Sequence, residues 1–298
     1  MIIGTKGSVL GLLKWQWKFM LFATLTSTAI CVAHIHFELT WLKLPSFPLA
    51  VVGAALGIFV SFRTNSSYDR WWEGRKLWGR MINTSRHITL EAKQYLHGDD
   101  AKRAVTRRHI AYVHTLRASL REQALLDDEH IVAYLDDDEK ELFKTTSNGC
   151  NRLLERQMAV FTQQANDGHI DAFRLQSLDE SIRHLLDIQG GCERIKKTPL
   201  PRIYGFFAER MIQWFSGLVP LALVPEMGWW AIPVAILVAF GFKMISETGR
   251  VLEDPFNMFW NGLPLSTISR MIEINVLDLM DETDLPAPHP PLSDTVIM

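Results

Sequence analysis

The sequence predicts an all-α membrane protein in which four helical spans flank a helical, water-facing domain interposed between the second and third spans. Three observations carry that prediction. Between Lys43 and Arg63 no residue is charged, and a helix of this length rises roughly 28 Å, close to the thickness of a hydrocarbon core. Three further windows are equally poor in charge when histidine is neutral: Lys18 to Glu38, Arg210 to Glu226 and Glu226 to Lys243. Trp15, Trp17, Trp41, Trp71, Trp72, Trp229 and Trp230 lie near the ends of these windows, where indole rings favour the membrane–water interface. That placement argues against the competing reading, in which the windows are core helices of a soluble all-α protein.

Mean hydropathy is only +0.04, because the windows come in two pairs separated by a polar middle. Residues 101–200 carry 15 Lys and Arg and 16 Asp and Glu. The resulting division is 1–68 for an N-terminal segment and spans one and two, 69–202 for a cytosolic helical domain, 203–250 for spans three and four, and 251–298 for a cytosolic C-terminal segment. Orientation follows from the basic residues beside the spans. Lys6, Lys14, Lys18, Arg63, Arg70, Arg75, Lys76, Arg80, Lys196, Lys197, Arg202, Lys243 and Arg250 all fall on one side, whereas the two short loops opposite hold only Lys43, Glu38 and Glu226. Both termini and the middle are therefore expected in the cytoplasm of a multi-pass membrane protein. No cleavable signal is evident.

Within the middle, Ile110, Val113, Leu116 and Leu120 recur at helical steps, as do Leu154, Met158, Phe161 and Ala165, then Ile182, Leu185 and Leu186. Gly98-Asp99-Asp100, Ser147-Asn148-Gly149 and Asn166-Asp167-Gly168 read as breaks between helices. The tail after Leu285 is rich in proline and reads as a loosely draped extension. Cys31, Cys150 and Cys192 show no paired spacing and are expected as free thiols. With a net charge of −2 and no basic stripe interleaved with aromatics, nucleic acid is not an expected partner.

Catalytic signatures are missing: there is no GxGxxG, phosphate-binding loop, GxSxG or HExxH, so neither an enzyme nor a cofactor is expected. The acidic runs Asp127-Asp128-Glu129-His130 and Asp136-Asp137-Asp138-Glu139 read as solvated helix surface, since consecutive helical residues point around the axis. His109 and His114, five apart, share a face poorly, and no metal site is expected. Glu209 and Arg210 are explained by a position near the start of a span.

The second window carries two rows. Gly53, Gly57 and Ser61 fall at steps of four and form a small-residue stripe that lets another helix approach closely. Beside it Ala54, Ile58 and Phe62 also fall at steps of four and form an apolar ladder. Ordinary helix packing accounts for both rows on spacing alone. The functional alternative is a helix packing against copies of itself around an axis and lining a pore with apolar rings, which filter ions by dewetting.

Three blocks in order, SFRTNSSYDRWWEGRKLWG after an apolar span, ERIKKTPLPRIYGFF before the third and GRVLEDPFNMFWNGLPLSTISRMIE after the fourth, resemble the bacterial bestrophins over most of residues 10–280. The resemblance implies a homopentameric ion channel with an axial pore, narrowed at a membrane neck and again at a cytosolic aperture. It puts the neck on Ala54, Ile58 and Phe62 and the aperture on Leu200, which is also a turn residue held between Pro199 and Pro201. It makes Arg70, Trp71, Trp72, Glu253, Asp254, Pro255 and Phe256 supports of the pore. Ala54 is smaller than the bulky apolar residue expected at the outer ring. After Phe256 this chain lacks the acidic cluster with which animal members clasp calcium.

The resemblance implies passive conduction of monovalent ions, with anions such as chloride as the family default. Glu38 and Glu226 near the outer mouth favour monovalent cations, sodium or potassium, as the second reading. A membrane-anchored scaffold or sensor is the alternative from another class.

Overall fold

The computed structural model describes residues 11, 14–259 and 261–290; Lys6 and the last eight residues of the proline-rich tail lie outside them. Ten α-helices run in the order α1 (Trp17–Cys31), α2 (Ser46–Tyr95), α3 (Asp99–Leu120), α4 (Glu129–Val132), α5 (Asp137–Thr145), α6 (Gly149–Asn166), α7 (Ala172–Lys197), α8 (Arg202–Met227), α9 (Ala231–Leu252) and α10 (Leu265–Leu279) among the described residues. A π-helical turn, Val32–His36, extends α1, and a 3-10 turn, Gly228–Trp230, joins α8 to α9. Strands are absent from these residues, as the helical periodicity predicts.

Among the described residues three helical stretches are long and apolar enough to cross a membrane: Trp17–His36, Ser46–Tyr95 and Arg202–Leu252. The third holds both of the last two charge-poor windows. It is interrupted at Gly228, whose φ of 54° suits glycine better than a residue with a Cβ, and α8 and α9 pack against each other. The 50 residues of α2 form one unbroken helix, about 75 Å long at the usual rise.

The chain divides into two compact units, and the division falls inside α2 between Trp71 and Trp72. The unit formed by residues 4–71 and 199–254 centres on Phe19, Ala23, Leu56, Val60, Ala208, Ile212, Phe215, Val219, Ala235 and Ala239. Four of these ten are alanines, which let helix backbones approach closely where lipid supplies no hydrophobic drive.

In the other unit α3 is the central helix. Its predicted ladder Ile110, Val113, Leu116 and Leu120 is fully buried, and α3 packs against α4, α6, α7 and α10. The three predicted breaks occur where expected: Gly98 (φ 84°) precedes α3, Asn148 caps α6 by accepting from the Asn151 N–H, and Gly168 (φ 76°) follows α6. Leu186 departs from its predicted row and is 44% exposed. All three cysteines are free thiols.

The acidic runs differ from the predicted solvated surface. Asp128 caps α4, accepting from the His130 N–H, and pairs with Arg117. Asp136 and Glu139 form a reciprocal capping box on α5, and Glu139, nearly fully buried, also pairs with Arg108. Runs of Asp and Glu are read poorly from sequence because the same residues serve as caps and as surface charge.

Buried polar groups of this unit are mostly partnered. Glu91 accepts from Ser177 and Ser181 hydroxyls at 2.5 and 2.6 Å. Glu273 accepts from His114 Nε2 at 2.9 Å, Tyr134 Oη at 2.6 Å and Arg270 Nη1 at 2.8 Å. Burial pushes the Glu273 carboxyl up, and the hydrogen bonds from His114 and Tyr134 with the nearby positive charge outweigh it, holding the group below its usual range. In the tail, His289 sets its ring edge-on to His130 at 5.3 Å.

His109, like Gln157, is an exception: it is buried in α3 and neither ring nitrogen has a hydrogen-bond partner. Burial lowers its pKa from 6.5 to about 4. The unfolded chain therefore takes the proton first, and the stability contributed by neutral His109 is complete above pH 6.5 and lost as pH falls toward 4. The loss amounts to roughly 3 kcal/mol over that window. His109→Leu is expected to flatten the fall of the thermal midpoint between pH 6.5 and 4; an unchanged slope would show that other groups carry it.

Gly53 and Gly57 generate a second test. A Cβ at Gly53 would stand 2.7 Å from Phe215 Cζ, whereas one at Gly57 would meet Phe242 at 3.7 Å. Phe215 is itself buried and set edge-on to Phe242, so its ring has little room to give. Gly53→Ala is expected to cost about 1–3 kcal/mol of overpacking strain and to lower the thermal midpoint, while Gly57→Ala leaves it within error.

Candidate pore-lining helix

The candidate site is the N-terminal half of α2, where the residues divide by face. Leu56, Val60, Arg63 and Ser67, at helical steps, are buried within the unit that holds them. Ala54, Ile58 and Phe62 point the other way and are exposed, Ile58 by 60% and Phe62 by 67%. Together with Gly57, Ser61 and Asn65 they border a shallow groove of about 370 Å³. An isoleucine and a phenylalanine one helical turn apart, both open on the face opposite the packed one, are a surface suited to a ring of copies, to lipid or to a pore lumen.

The small-residue stripe does not behave as one row. Gly53 is buried against Phe215 of α8 and Gly57 faces Phe242 of α9, whereas Ser61 is exposed. The close approach predicted at Gly53 thus serves packing within the chain. A step of four reports which residues share a helix face and is silent on whether the neighbour belongs to the same chain.

Immediately after the ladder, Arg63 turns inward and is 5% exposed. Its Nη2 lies 3.5 Å from Glu253 Oε2 and its Nη1 donates to Ser246 Oγ at 3.3 Å. A methyl at position 205 would come within 3.1 Å of Nη2, so glycine there makes room for the guanidinium. Two turns on, Arg70 Nε donates to the Glu253 carbonyl at 3.0 Å. Thr64 Oγ1 donates to the Val60 and Ile245 carbonyls, and Gly249 admits the Thr64 backbone at a distance a Cβ would close to 3.2 Å. Sequence reasoning counted Arg63 only as a flanking positive charge. The signal it carried was its position directly after an apolar run, followed far along the chain by acidic Glu253.

Trp71 is half-buried and stacks on Tyr68 with ring centres 6.2 Å apart, and Trp72 is exposed. Asp254 is half-buried in the segment after α9. Pro255 and Phe256 are buried, and Pro255 lies so close to Gly74 that a Cβ there would be 3.0 Å away. The chain then turns back on itself, with the Leu263 N–H donating to the Pro255 carbonyl at 2.7 Å. Gly262 is required in this turn, since a Cβ would sit 2.2 Å from the Asn257 carbonyl oxygen. Leu200 is half-buried in the non-helical link between α7 and α8. Among the described residues no group of three or more His, Cys, Asp or Glu is placed to hold a metal ion.

A family model of the bacterial and fungal bestrophin proteins matches residues 1–278. The voltage-dependent anion channel-forming protein YneE of Escherichia coli O157:H7 is 31% identical over 258 residues, covering 85% of this chain and 84% of its own. The voltage-dependent anion channel-forming protein RSc3414 of Ralstonia nicotianae is 32% identical over 292 residues, covering 96% and 92%. Among solved structures, a bacterial bestrophin homolog from Klebsiella pneumoniae superposes with a TM-score of 0.85 at 26% identity, covering 89% of this chain and 98% of that one. With the family match spanning nearly the whole sequence, the chain belongs to the bestrophin family.

Proposed function

We propose that this chain forms a channel that conducts monovalent ions passively across the bacterial inner membrane, with anions, chloride among them, as the permeant class. Five copies surround one axis and each gives four spans: the region of α1, the N-terminal half of α2, and α8 and α9. Both termini and the helical middle lie in the cytoplasm. Residues 1–68 and 203–250 form the membrane part, 69–202 the cytosolic domain and 251–298 the C-terminal segment. Ala54, Ile58 and Phe62 line the neck and Leu200 the cytosolic aperture, while Arg70, Trp71, Trp72, Glu253, Asp254, Pro255 and Phe256 hold the neck helix in place. The observation that carries this reading is the exposed ladder Ile58 and Phe62 on a helix whose other face is packed. The names of the relatives support the choice of anions.

An ion crossing five copies of Ile58 and Phe62 sheds part of its hydration against side chains that offer no replacement ligands. The barrier is therefore set by ring diameter and by wetting, and apolar rings do not fix the sign of the ion. Glu38, exposed in the link after α1, and Glu226, exposed in the last turn of α8 rather than in the loop expected from sequence, favour cation conduction as a second reading. Reversal potentials of the purified protein in planar bilayers under a potassium chloride gradient decide between them. A potential near that of chloride is expected, and one near that of potassium would establish the second reading.

The neck assignment has its own test. Because Ile58 and Phe62 are exposed in the single chain, truncating them opens no cavity inside it, unlike a core Leu→Ala change at about 2–5 kcal/mol. Ile58→Ala and Phe62→Ala are expected to raise single-channel conductance or open probability while native mass spectrometry still finds five copies of 34.1 kDa. A lower thermal midpoint with unchanged or reduced current would remove these residues from the pore.

A further inference from the structure

A hollow of about 770 Å³ lies where α1, α8 and α9 meet, lined by Trp15, Trp17, Lys18, Gln213, Trp214 and Lys243 among others. All three helices reach it at the same point in their charge pattern. Lys18 opens the first charge-poor window, Arg210 the third, and Lys243 closes the fourth. The hollow thus sits at the level where spans give way to headgroups, on the side that gathers the basic residues.

We infer that this hollow binds the headgroup of an anionic glycerophospholipid. A phosphodiester needs positive charge and hydrogen-bond donors, and both are present. Lys18 Nζ stands over the Trp17 ring and Lys243 Nζ over the Phe19 ring, each 5.8 Å from the centroid. Gln213 accepts from Arg210 Nη1 at 2.9 Å through its carbonyl oxygen, which leaves its amide N–H groups to donate. Lys243 also pairs with Glu247 at 2.8 Å and Glu209 at 3.8 Å, so the charge available to a ligand comes chiefly from Lys18. Counting Lys14, Lys18, Arg210, Lys243 and Arg250 against Glu209 and Glu247, this end of the three helices is net positive.

A second observation separates a lipid from free phosphate. From the hollow an exposed apolar row runs down α1 through Trp17, Leu21 and Leu25 at steps of four, and another down α8 through Trp214 and Leu218. These rows have the direction and chemistry of an acyl-chain track beneath a headgroup. Indole rings at its top match the preference of tryptophan for the interface.

The inference rests on reading these helices as membrane spans and is independent of conduction. Its test is native mass spectrometry of the wild-type protein and Lys18→Gln from detergent supplemented with phosphatidylglycerol or phosphatidylcholine, with ion flux measured on the same preparations. Wild type is expected to retain phosphatidylglycerol over phosphatidylcholine, and Lys18→Gln to retain about fivefold less phosphatidylglycerol, the equivalent of roughly 1 kcal/mol for one basic residue at an anionic surface. Lys43→Gln, in the opposite loop, should match wild type. Equal retention by Lys18→Gln, no preference between the lipids, or displacement of bound lipid by equimolar inorganic phosphate would overturn the site. Loss of lipid preference with flux intact counts against the headgroup site alone, and absent flux with the preference intact counts against the channel alone.

Discussion

Arg63 is the group on which the arrangement of the candidate pore helix depends. A buried guanidinium is costly unless it is paired and hydrogen-bonded, and here Glu253, Ser246 and the space left by Gly205 meet that requirement together. The consequence is rotational. With Arg63 turned inward, Val60 and Leu56, three and seven residues earlier, are drawn into the same packed face, while Phe62, Ile58 and Ala54 are left facing out. Arg70 repeats the tie to Glu253 two turns later through its backbone carbonyl, so one acidic residue after α9 anchors both Arg63 and Arg70 of α2.

The same division explains how one helix can pack tightly and still offer an open apolar surface. Its packed side relies on close contacts, Gly53 beneath Phe215 and Thr64 against Gly249, which tolerate little change in volume. Its open side carries large side chains with no partner in the chain, a pattern that in an isolated soluble protein would be an aggregation liability. Within the proposed ring of copies the exposed residues acquire a purpose, since a dry constriction needs side chains that offer an ion nothing in exchange for water.

The unit of residues 72–198 and 255–298 solves a different problem: how to bury polar side chains around a central helix. Glu91, Glu139 and Glu273 are all nearly fully buried, and each is surrounded by donors supplied by other segments. His109 stays unpartnered, and it is kept neutral by burial. Polar groups held in this way are costly to leave half satisfied and so restrict the packing to one arrangement.

Much of this protein was legible from sequence because the responsible forces are local. Charge-poor windows of span length, tryptophans at their ends, 3.6-residue periodicity in Ile110, Val113, Leu116 and Leu120, and glycine or asparagine at the helix breaks each report on a neighbourhood of a few residues. The three motif blocks carried the family for the same reason, as contiguous strings. What sequence could not settle were pairings between segments far apart. Gly53 and Ile58 stand on rows of the same spacing, yet the space at Gly53 is filled by Phe215 and that at Ile58 is left open. The acidic runs look like solvent-facing charge, yet Glu139 is buried against Arg108. Arg63 and Glu253 stand 190 positions apart in the chain, and only the fold brings them to 3.5 Å. Helical period determines which side chains share a face; which face is covered depends on long-range contacts whose partners no local pattern identifies.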